Sequence, residues 1–232
     1  MTMFHAANTP VDIVKIYPQA SDLFRKHRID FCCGGNKPLS ESLRSLQLNE
    51  GSILKELNDS YLEWRRKEDE QPTDYDAWSP TNLADYILET HHEYLRRELE
   101  PIATYVDKVF QVHGKKHAHL ELLHKLFHEL KTELLEHIGD EEANVFPFIK
   151  EYEESPSDQL LEQIKHANRD LEAEHEATGN ILKEMRKVTN DYNAPEDACN
   201  TYRMVYARLE ELESNTYQHV HLENNILFPK YG

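Results

Sequence analysis

Glycine and cysteine are scarce in this chain, with 7 and 3 residues among 232, and no stretch approaches the roughly 18 consecutive apolar residues of a membrane span. The absence of long apolar runs excludes a membrane-embedded protein. Three cysteines cannot build a disulfide framework, which favours a reducing compartment. The first residues show no basic segment leading into an apolar one, so we expect no secretion signal. These absences together predict a cytoplasmic location.

Basic residues are also few relative to acidic ones. The chain has 26 Lys and Arg and 43 Asp and Glu, which give a formal net charge of −17. Such a surface repels phosphate backbones and anionic lipid headgroups, so we expect neither nucleic acid nor a membrane surface as a partner. With 39% hydrophobic residues the chain can still bury a core. Its length allows one large domain or a large domain with a small one.

Helix-forming residues dominate, and breaks in the pattern divide the chain into two parts. A short helical pattern over residues 11–24 precedes Cys32-Cys33-Gly34-Gly35, and further short helices are expected from residue 39 and over 52–61. We predict a small helical domain over residues 1–62, a charged linker over 63–78 and a bundle over 79–232.

The second part contains four long helical patterns joined by short connections. They cover residues 80–111, 118–152 and 158–190, and a last stretch that follows Pro195 and ends near Pro229. Long helices with short connections predict an all-α, up-down-up-down four-helix bundle.

Each of the four apolar stripes is interrupted by a histidine, and two are also interrupted by a glutamate one turn later. The interrupting residues are His92, His137, Glu141, His175, His219 and Glu223. Burying an unpaired imidazole or carboxylate costs several kcal/mol or forces the group to become neutral. These six side chains must therefore satisfy one another or something bound between them.

The six positions form an internal repeat. The pattern His137-x-x-x-Glu141 recurs 82 residues later as His219-x-x-x-Glu223, and His92 recurs as His175 after 83 residues. In antiparallel hairpins, these spacings put the polar residues of both halves at a similar depth in the bundle. The sequence thus predicts one nearly twofold-symmetric layer.

Four imidazoles and two carboxylates exceed what a single tetrahedral zinc site needs. They suit two borderline metal ions, each with two histidines, with Glu141 and Glu223 as bridges between the ions. The donor set indicates two non-haem irons, with manganese or zinc as alternatives. The remaining alternative is a polar layer whose members only bond one another.

Other polar residues lie off the stripes. Five histidines lie in the connection between the first two long helical patterns or away from the apolar stripes, and we expect them to be solvated: His113, His117, His119, His124 and His128. We expect His91 and His221 to lie on the outer face of the bundle. Three acidic residues, Glu133, Glu142 and Glu174, flank the layer as hydrogen-bond partners, as a polar access route, or as solvated groups. Cys32 and Cys33 are either a reactive, catalytic or metal-binding thiol pair or buried thiols in an ordinary turn. We expect Cys199 to be structural.

Two segments carry a resemblance to a known family. The segment Ile29-Asp30-Phe31-Cys32-Cys33-Gly34-Gly35-Asn36, together with Leu222-Glu223-Asn224-Asn225-Ile226-Leu227-Phe228-Pro229, resembles the iron–sulfur cluster repair di-iron proteins, or ScdA family. The likeness covers almost the whole chain and implies a hemerythrin-like bundle behind a small thiol domain.

The resemblance implies a bacterial cytoplasmic protein that restores iron–sulfur clusters damaged by nitric oxide or peroxide. It places the family's di-iron ligands on the six seam residues, with Glu141 and Glu223 as the bridges, and implicates Cys32 and Cys33. Partners would be damaged iron–sulfur proteins, with nitric oxide or oxygen as small ligands. True hemerythrins use more histidines and carry oxygen, so this site departs from theirs.

Three functions stay open at this point. The chain could repair clusters, bind or sense oxygen or nitric oxide and signal through the thiol domain, or hold a structural zinc or manganese ion. The thiol domain could dock onto its own bundle or onto that of a second subunit in a homodimer.

Overall fold

A computed structural model describes residues 3–66 and 73–232 of the chain. These residues form helices and connections without a strand, which confirms the all-α prediction. The central part of the predicted linker, residues 67–72, lies outside the described residues. Within the described residues, no helix is long and apolar enough to cross a membrane.

The N-terminal part contains four helices: α1 (Pro10–Ile16), α2 (Ala20–Lys26), α3 (Leu39–Ser45) and α4 (Glu50–Arg66). The single helix predicted over residues 11–24 is wrong, because the chain breaks at Tyr17 and Pro18. Proline has no backbone N–H and its ring blocks a preceding helical turn, so α2 begins only after it. Helix α4 runs four residues past the predicted end of the small domain.

The bundle has the predicted order of four helical rods. They comprise α5 (Pro80–Ile87), a π-helical turn (Leu88–His92) and α6 (Glu93–His113); α7 (His119–Asp140), a π-helical turn (Glu141–Val145) and α8 (Phe146–Glu154); α9 (Asp158–Val188); and α10 (Asn200–Leu222), a π-helical turn (Glu223–Leu227) and a 3₁₀ turn (Phe228–Tyr231). A 3₁₀ turn (Tyr75–Ala77) precedes α5. Three rods therefore contain a widened turn.

Two of the widened turns are followed closely by a proline. Pro147 and Pro229 each lie six residues after a seam glutamate, just beyond the π-helical turn that this glutamate begins. A proline ring clashes with the carbonyl four residues before it, and a π-helical turn moves that carbonyl away. The repeated Phe-Pro pair thus sets the local geometry at Glu141 and Glu223.

The polar layer separates two apolar clusters of the bundle. The cluster nearer the α6–α7 turn includes Leu99, Phe127 and Leu209, and the cluster at the other end includes Ile87, Ile149 and Leu227. Apolar packing on both sides makes the surroundings of the layer less polar than water, which raises the cost of any unpaired charge in it.

The small domain has a core of its own and packs against the bundle of the same chain. Phe24, Leu39 and Leu57 are fully buried in that core. Polar contacts join the two parts, since Lys183 lies 3.1 Å from Asp30 and the Arg25 guanidinium donates to the Glu210 carbonyl at 3.2 Å.

A buried ion pair lies close to this contact. Arg186 of α9 donates from Nε to both carboxylate oxygens of Glu213 in α10, at 3.0 and 2.9 Å, and its guanidinium lies 4.9 Å from the centre of the Tyr192 ring. Burial raises the pKa of Glu213, although the Arg186 charge opposes this shift. The Arg186 charge therefore stabilises the ionised form of Glu213.

We expect Arg186→Met to lower the free energy of unfolding by about 3–5 kcal/mol, because it leaves the Glu213 carboxylate buried without its cation. Lys187→Met is the matched control, since the neighbouring Lys187 is exposed and pairs with Glu184 at 3.0 Å. That control should change stability by less than about 1 kcal/mol. Urea unfolding followed by circular dichroism measures both, and equal effects would contradict the role assigned to Arg186.

Candidate metal centre

The structure brings the six seam residues together in the middle of the bundle. His92 ends the π-helical turn before α6, His137 lies in the last turn of α7, His175 lies within α9, and His219 lies in the last turn of α10. Glu141 and Glu223 are the first residues of the other two π-helical turns. All six side chains are buried, and both glutamates have no exposed surface.

The six residues form two overlapping groups, and each group contains both glutamates. One comprises His92, Glu141, His219 and Glu223, and the other His137, Glu141, His175 and Glu223. The Nε2 atoms are 3.3 Å apart in the first histidine pair and 3.0 Å apart in the second. With metal–nitrogen bonds of about 2.1 Å, two ligands of one ion lie about 3.0–3.4 Å apart, so both spacings suit a shared cation.

The two carboxylates lack ordinary partners. All four of their oxygens are buried and without a hydrogen bond among the described residues. Imidazole nitrogens do approach them, at 3.3 Å from His92 and 3.4 Å from His137 to Glu141, and at 3.0 Å from His219 to Glu223. A bound cation would satisfy these four acceptor oxygens together with the imidazole nitrogens that converge on them, so these residues fit a metal centre.

The Nδ1 atoms of His92 and His137 have acidic partners outside the layer. His92 contacts Glu142 at 2.8 Å, and Arg96 in turn donates to Glu142 at 2.7 and 2.8 Å. His137 contacts Glu174 at 2.8 Å. Acceptors at Nδ1 hold the proton there, which leaves each Nε2 lone pair directed into the centre. Glu142 and Glu174 are thus hydrogen-bond partners, one of the alternatives that the sequence left open.

The repeated Phe-Pro motif also orients histidines. The Phe146 ring stacks on His92, with centroids 5.5 Å apart, and the Phe228 ring stacks on His175 at 6.2 Å. These are equivalent pairs in the two halves of the chain. In each half of the chain, the phenylalanine of the second rod therefore packs on the histidine of the first rod and restricts its orientation.

Charge within the layer changes its acid–base properties. Burial alone would lower the pKa of His137, but the carboxylate of Glu141 and the bonded Glu174 raise it to about 9. Burial opposes ionisation of Glu223, yet the imidazoles of His219 and His175 lower its pKa well below the ordinary value. At His219 burial prevails and the pKa is lowered.

The Cys-Cys-Gly-Gly segment lies against the C-terminal end of α10 and the π-helical turn that follows it. Asp30 Oδ1 accepts from the backbone N–H groups of Cys32, Cys33 and Gly34 at 3.1–3.2 Å and so closes the turn. At Gly35 a Cβ would lie 2.7 Å from the Phe31 Cα, so only glycine fits there. Cys32 is buried, and Cys33 is partly exposed.

Two asparagines connect the thiol segment to the centre. Asn224 accepts from His175 Nδ1 at 2.7 Å, and its amide nitrogen lies 4.0 Å from Cys33 Sγ. Asn225 donates to the Cys32 carbonyl at 3.1 Å. The sequence patterns predicted no role for either asparagine, although both lie in the Leu222–Pro229 segment that carries the family resemblance.

The two thiols differ in acidity. The Sγ atoms are 3.6 Å apart, and the hydrogen bond from Cys32 lowers the pKa of Cys33, with His175 and Lys183 acting in the same direction. That same hydrogen bond, together with burial, raises the pKa of Cys32 well above its ordinary value. Cys33 is therefore the more readily ionised thiol.

The outer-face predictions for His91 and His221 are wrong. The π-helical turn over Leu88–His92 brings consecutive histidines inward, and His91 stacks on His219 with centroids 5.6 Å apart. His221 is covered by the small domain, where its Nδ1 lies 3.4 Å from the Phe31 carbonyl. Burial lowers the pKa of His221 to about 4, so it is neutral.

The histidines near the first turn are partly buried rather than freely solvated, which corrects that prediction too. His119 lies 2.9 Å from the Tyr206 hydroxyl, and His113 lies 3.3 Å from the Sγ of Cys199. His119 and His113 thus each contact a residue more than 80 positions later in the chain, which the sequence pattern did not predict.

The comparisons with known proteins agree with this architecture. Residues 83–231 match the Hemerythrin HHE cation binding domain, and residues 8–61 match ScdA_N, a Domain of Unknown function (DUF542). The bundle is thus a hemerythrin-like cation-binding domain.

Relatives match over nearly the full length. The Iron-sulfur cluster repair protein ScdA of Staphylococcus epidermidis is 36% identical over 222 residues, 94% of this chain and 95% of the relative. The protein of that name from Staphylococcus haemolyticus is 34% identical, covering 95% and 96%. The Iron-sulfur cluster repair protein YtfE of Yersinia pseudotuberculosis is 33% identical, covering 92% and 91%. The chain belongs to the iron–sulfur cluster repair protein family, as the resemblance predicted.

In the metal-free protein we expect the pKa of His137 to fall in Glu174→Gln, since the substitution removes one of the carboxylates that raise it. A raised histidine pKa contributes stability that is present below the unfolded pKa of about 6.5 and lost as pH rises through about 9. The variant should therefore lose less stability between these pH values than the natural protein.

An NMR titration of the His137 imidazole and urea unfolding at each pH measure the two quantities. Glu162→Gln, an exposed carboxylate earlier on α9, is the control and should leave both unchanged. An unchanged His137 pKa in Glu174→Gln would contradict the role given to Glu174.

Proposed function

We propose that this protein repairs iron–sulfur clusters damaged by nitrosative or oxidative stress, with a non-haem di-iron centre that donates iron, reacts with nitric oxide, or does both. The observation that carries this proposal is the pair of fully buried glutamates whose four oxygens have no hydrogen bond among the described residues. The names of the relatives support the repair function.

In this proposal His92 and His219 hold one iron, His137 and His175 hold the other, and Glu141 and Glu223 bridge them. A pair of irons with few imidazoles supplies open coordination positions and one-electron chemistry when bound. The protein residues hold the ligand atoms in place: Glu142, Glu174 and Asn224 each fix one imidazole through its Nδ1.

An acidic cleft gives this centre a route to solvent. A cavity of about 330 Å³ is lined by Glu133, Glu136, Asp140 and Glu174 and reaches His137. Carboxylates along a passage attract cations and raise their local concentration. Such a lining suits the passage of Fe²⁺ as cargo between the centre and a damaged cluster protein.

The thiol segment would assist the transfer. Cys33 lies on a second cavity, of about 370 Å³, between the small domain and the bundle, and Lys183 and Asn224 share this cavity. An ionised thiol is a good ligand for iron and a nucleophile toward nitrosyl groups. Cys33 would hold or receive such a group, while buried Cys32 donates the hydrogen bond that favours the Cys33 thiolate.

A sensing role is the second candidate function, and one contact favours it. Asn224 contacts both His175 and Cys33, so a change at the centre could reach the small domain through one side chain. Reversible binding of oxygen or nitric oxide by a protein without repair activity would favour sensing over repair. A bundle that retains only redox-silent zinc or manganese would favour a structural role.

We expect His219→Ala and Glu223→Ala to abolish repair and to lose bound iron while keeping the helical signal, because each removes a ligand from the centre. The natural protein should contain about two irons per chain after anaerobic purification. His166→Ala is the control, since exposed His166 pairs with Asp170 on the outside of α9.

Iron content per chain, circular dichroism and recovery of a damaged cluster protein measure these outcomes. Full repair by an iron-free variant would contradict the proposal.

We further expect Lys183→Met to raise the pKa of Cys33, because the Lys183 charge favours the thiolate. The pH dependence of Cys33 alkylation, followed by mass spectrometry, reports this pKa. Lys187→Met, one turn further along α9, is the matched control and should leave the Cys33 profile unchanged.

In repair assays we expect Cys33→Ser to lose activity and Cys199→Ser, which removes an exposed thiol at the far end of the bundle, to keep it. Equal alkylation profiles for Cys32 and Cys33 would contradict the assignment of the reactive thiol.

A further inference from the structure

A second group of metal-ligating side chains lies away from the polar layer. Asp107 of α6 faces His124 and His128 of α7, and the Nε2 atom of each histidine lies 2.8 Å from the same oxygen, Asp107 Oδ1. Within the part of the chain that is described, this is the one such group outside the central six residues.

We propose that Asp107, His124 and His128 form a second cation site that takes a borderline first-row divalent ion, such as zinc or ferrous iron. The site would join α6 to α7 on the outside of the hairpin. It does not depend on the function proposed for the central layer.

The arrangement follows from helix geometry. His124 and His128 are four residues apart, which places both imidazoles on one face of α7. The α6–α7 connection brings Asp107 opposite that face. The Phe110 ring packs on His124 at 4.8 Å and the Phe127 ring packs on His128 at 5.7 Å, so neither imidazole is free to swing into solvent.

Access and charge also suit an ion. The three side chains are 29%, 38% and 42% exposed for His124, His128 and Asp107, which leaves room for water to complete the coordination. Ligands of one tetrahedral ion lie about 3.3 Å apart when the bonds are about 2.0 Å long. An ion therefore requires the present 2.8 Å contacts to open by about half an ångström, which exposed side chains can accommodate.

The donor set selects the class of cation. Two imidazoles and one carboxylate are typical of sites for zinc and ferrous iron, whereas calcium and magnesium prefer oxygen alone. On binding, both imidazoles would be neutral with the proton on Nδ1, and the two hydrogen bonds to Asp107 Oδ1 would be replaced by three bonds to the ion. No electron transfer is involved.

The central layer is too distant to share this ion. His128 precedes His137 by nine residues on α7, which corresponds to about 14 Å along the axis and half a turn around it. The two sites can therefore be filled separately, which makes the proposal testable in the iron-loaded protein.

The test is an anaerobic titration of the full-length, iron-loaded protein with Zn²⁺ in the presence of a chromogenic chelator, followed by metal analysis of both elements. We expect one zinc per chain to be taken up while the iron content stays constant. Asp107→Asn and His128→Gln should each weaken zinc binding about tenfold or more. Zinc should also raise the Tm of the natural protein but not of His128→Gln.

His166→Gln is the matched control, because His166 lies 2.9 Å from Asp170 on an exposed helix face but has no second imidazole there. Its zinc affinity should equal that of the natural protein. Circular dichroism and Tm without added metal show that each variant is folded.

A parallel titration with Fe²⁺ distinguishes the two cations. If the natural protein binds additional Fe²⁺ and His128→Gln does not, the site is supported with ferrous iron as its ion. The proposal is overturned if neither metal binds beyond the iron already present, if zinc enters only as iron is lost, or if His128→Gln binds as tightly as His166→Gln.

Discussion

Two carboxyl groups buried between apolar clusters determine how this molecule is built. Glu141 and Glu223 have no exposed surface, and apolar clusters pack above and below them. A carboxylate in such a place is unstable without positive charge or a hydrogen bond donor. Four imidazoles surround the pair, and Glu142, Glu174 and Asn224 hold three of them from outside. The polar layer is therefore an ordered network rather than a defect in the core.

Helix geometry adapts to this network. A proline ring disturbs the helical turn before it, and the widened turns at Glu141 and Glu223 end one residue before Phe146-Pro147 and Phe228-Pro229 continue the chain. The adjacent Phe146 and Phe228 then cover His92 and His175. Each Phe-Pro pair thus serves both the backbone and the packing of the layer.

Much of this could be predicted from the sequence, because the signals were periodic or repeated. The apolar stripes predicted the four helical rods, and the 82-residue repeat indicated that the six polar residues lie in one layer. The errors came from features that break periodicity. His91 turned inward because of a π-helical turn, and His221 became buried because the small domain covers it. No periodic pattern in the sequence predicts a widened turn or the face on which a second domain docks.

The position of Glu223, Asn224 and Asn225 has a consequence for the order in which the molecule is completed. Glu223 belongs to the polar layer, whereas the two asparagines that follow it contact the thiol segment. Since ribosomes make chains from the N-terminus and domains fold as they emerge, the small domain can form its core long before these three residues exist. The last ligand of the layer and the contacts that fasten the thiol segment are then delivered together, within a single turn of newly made helix.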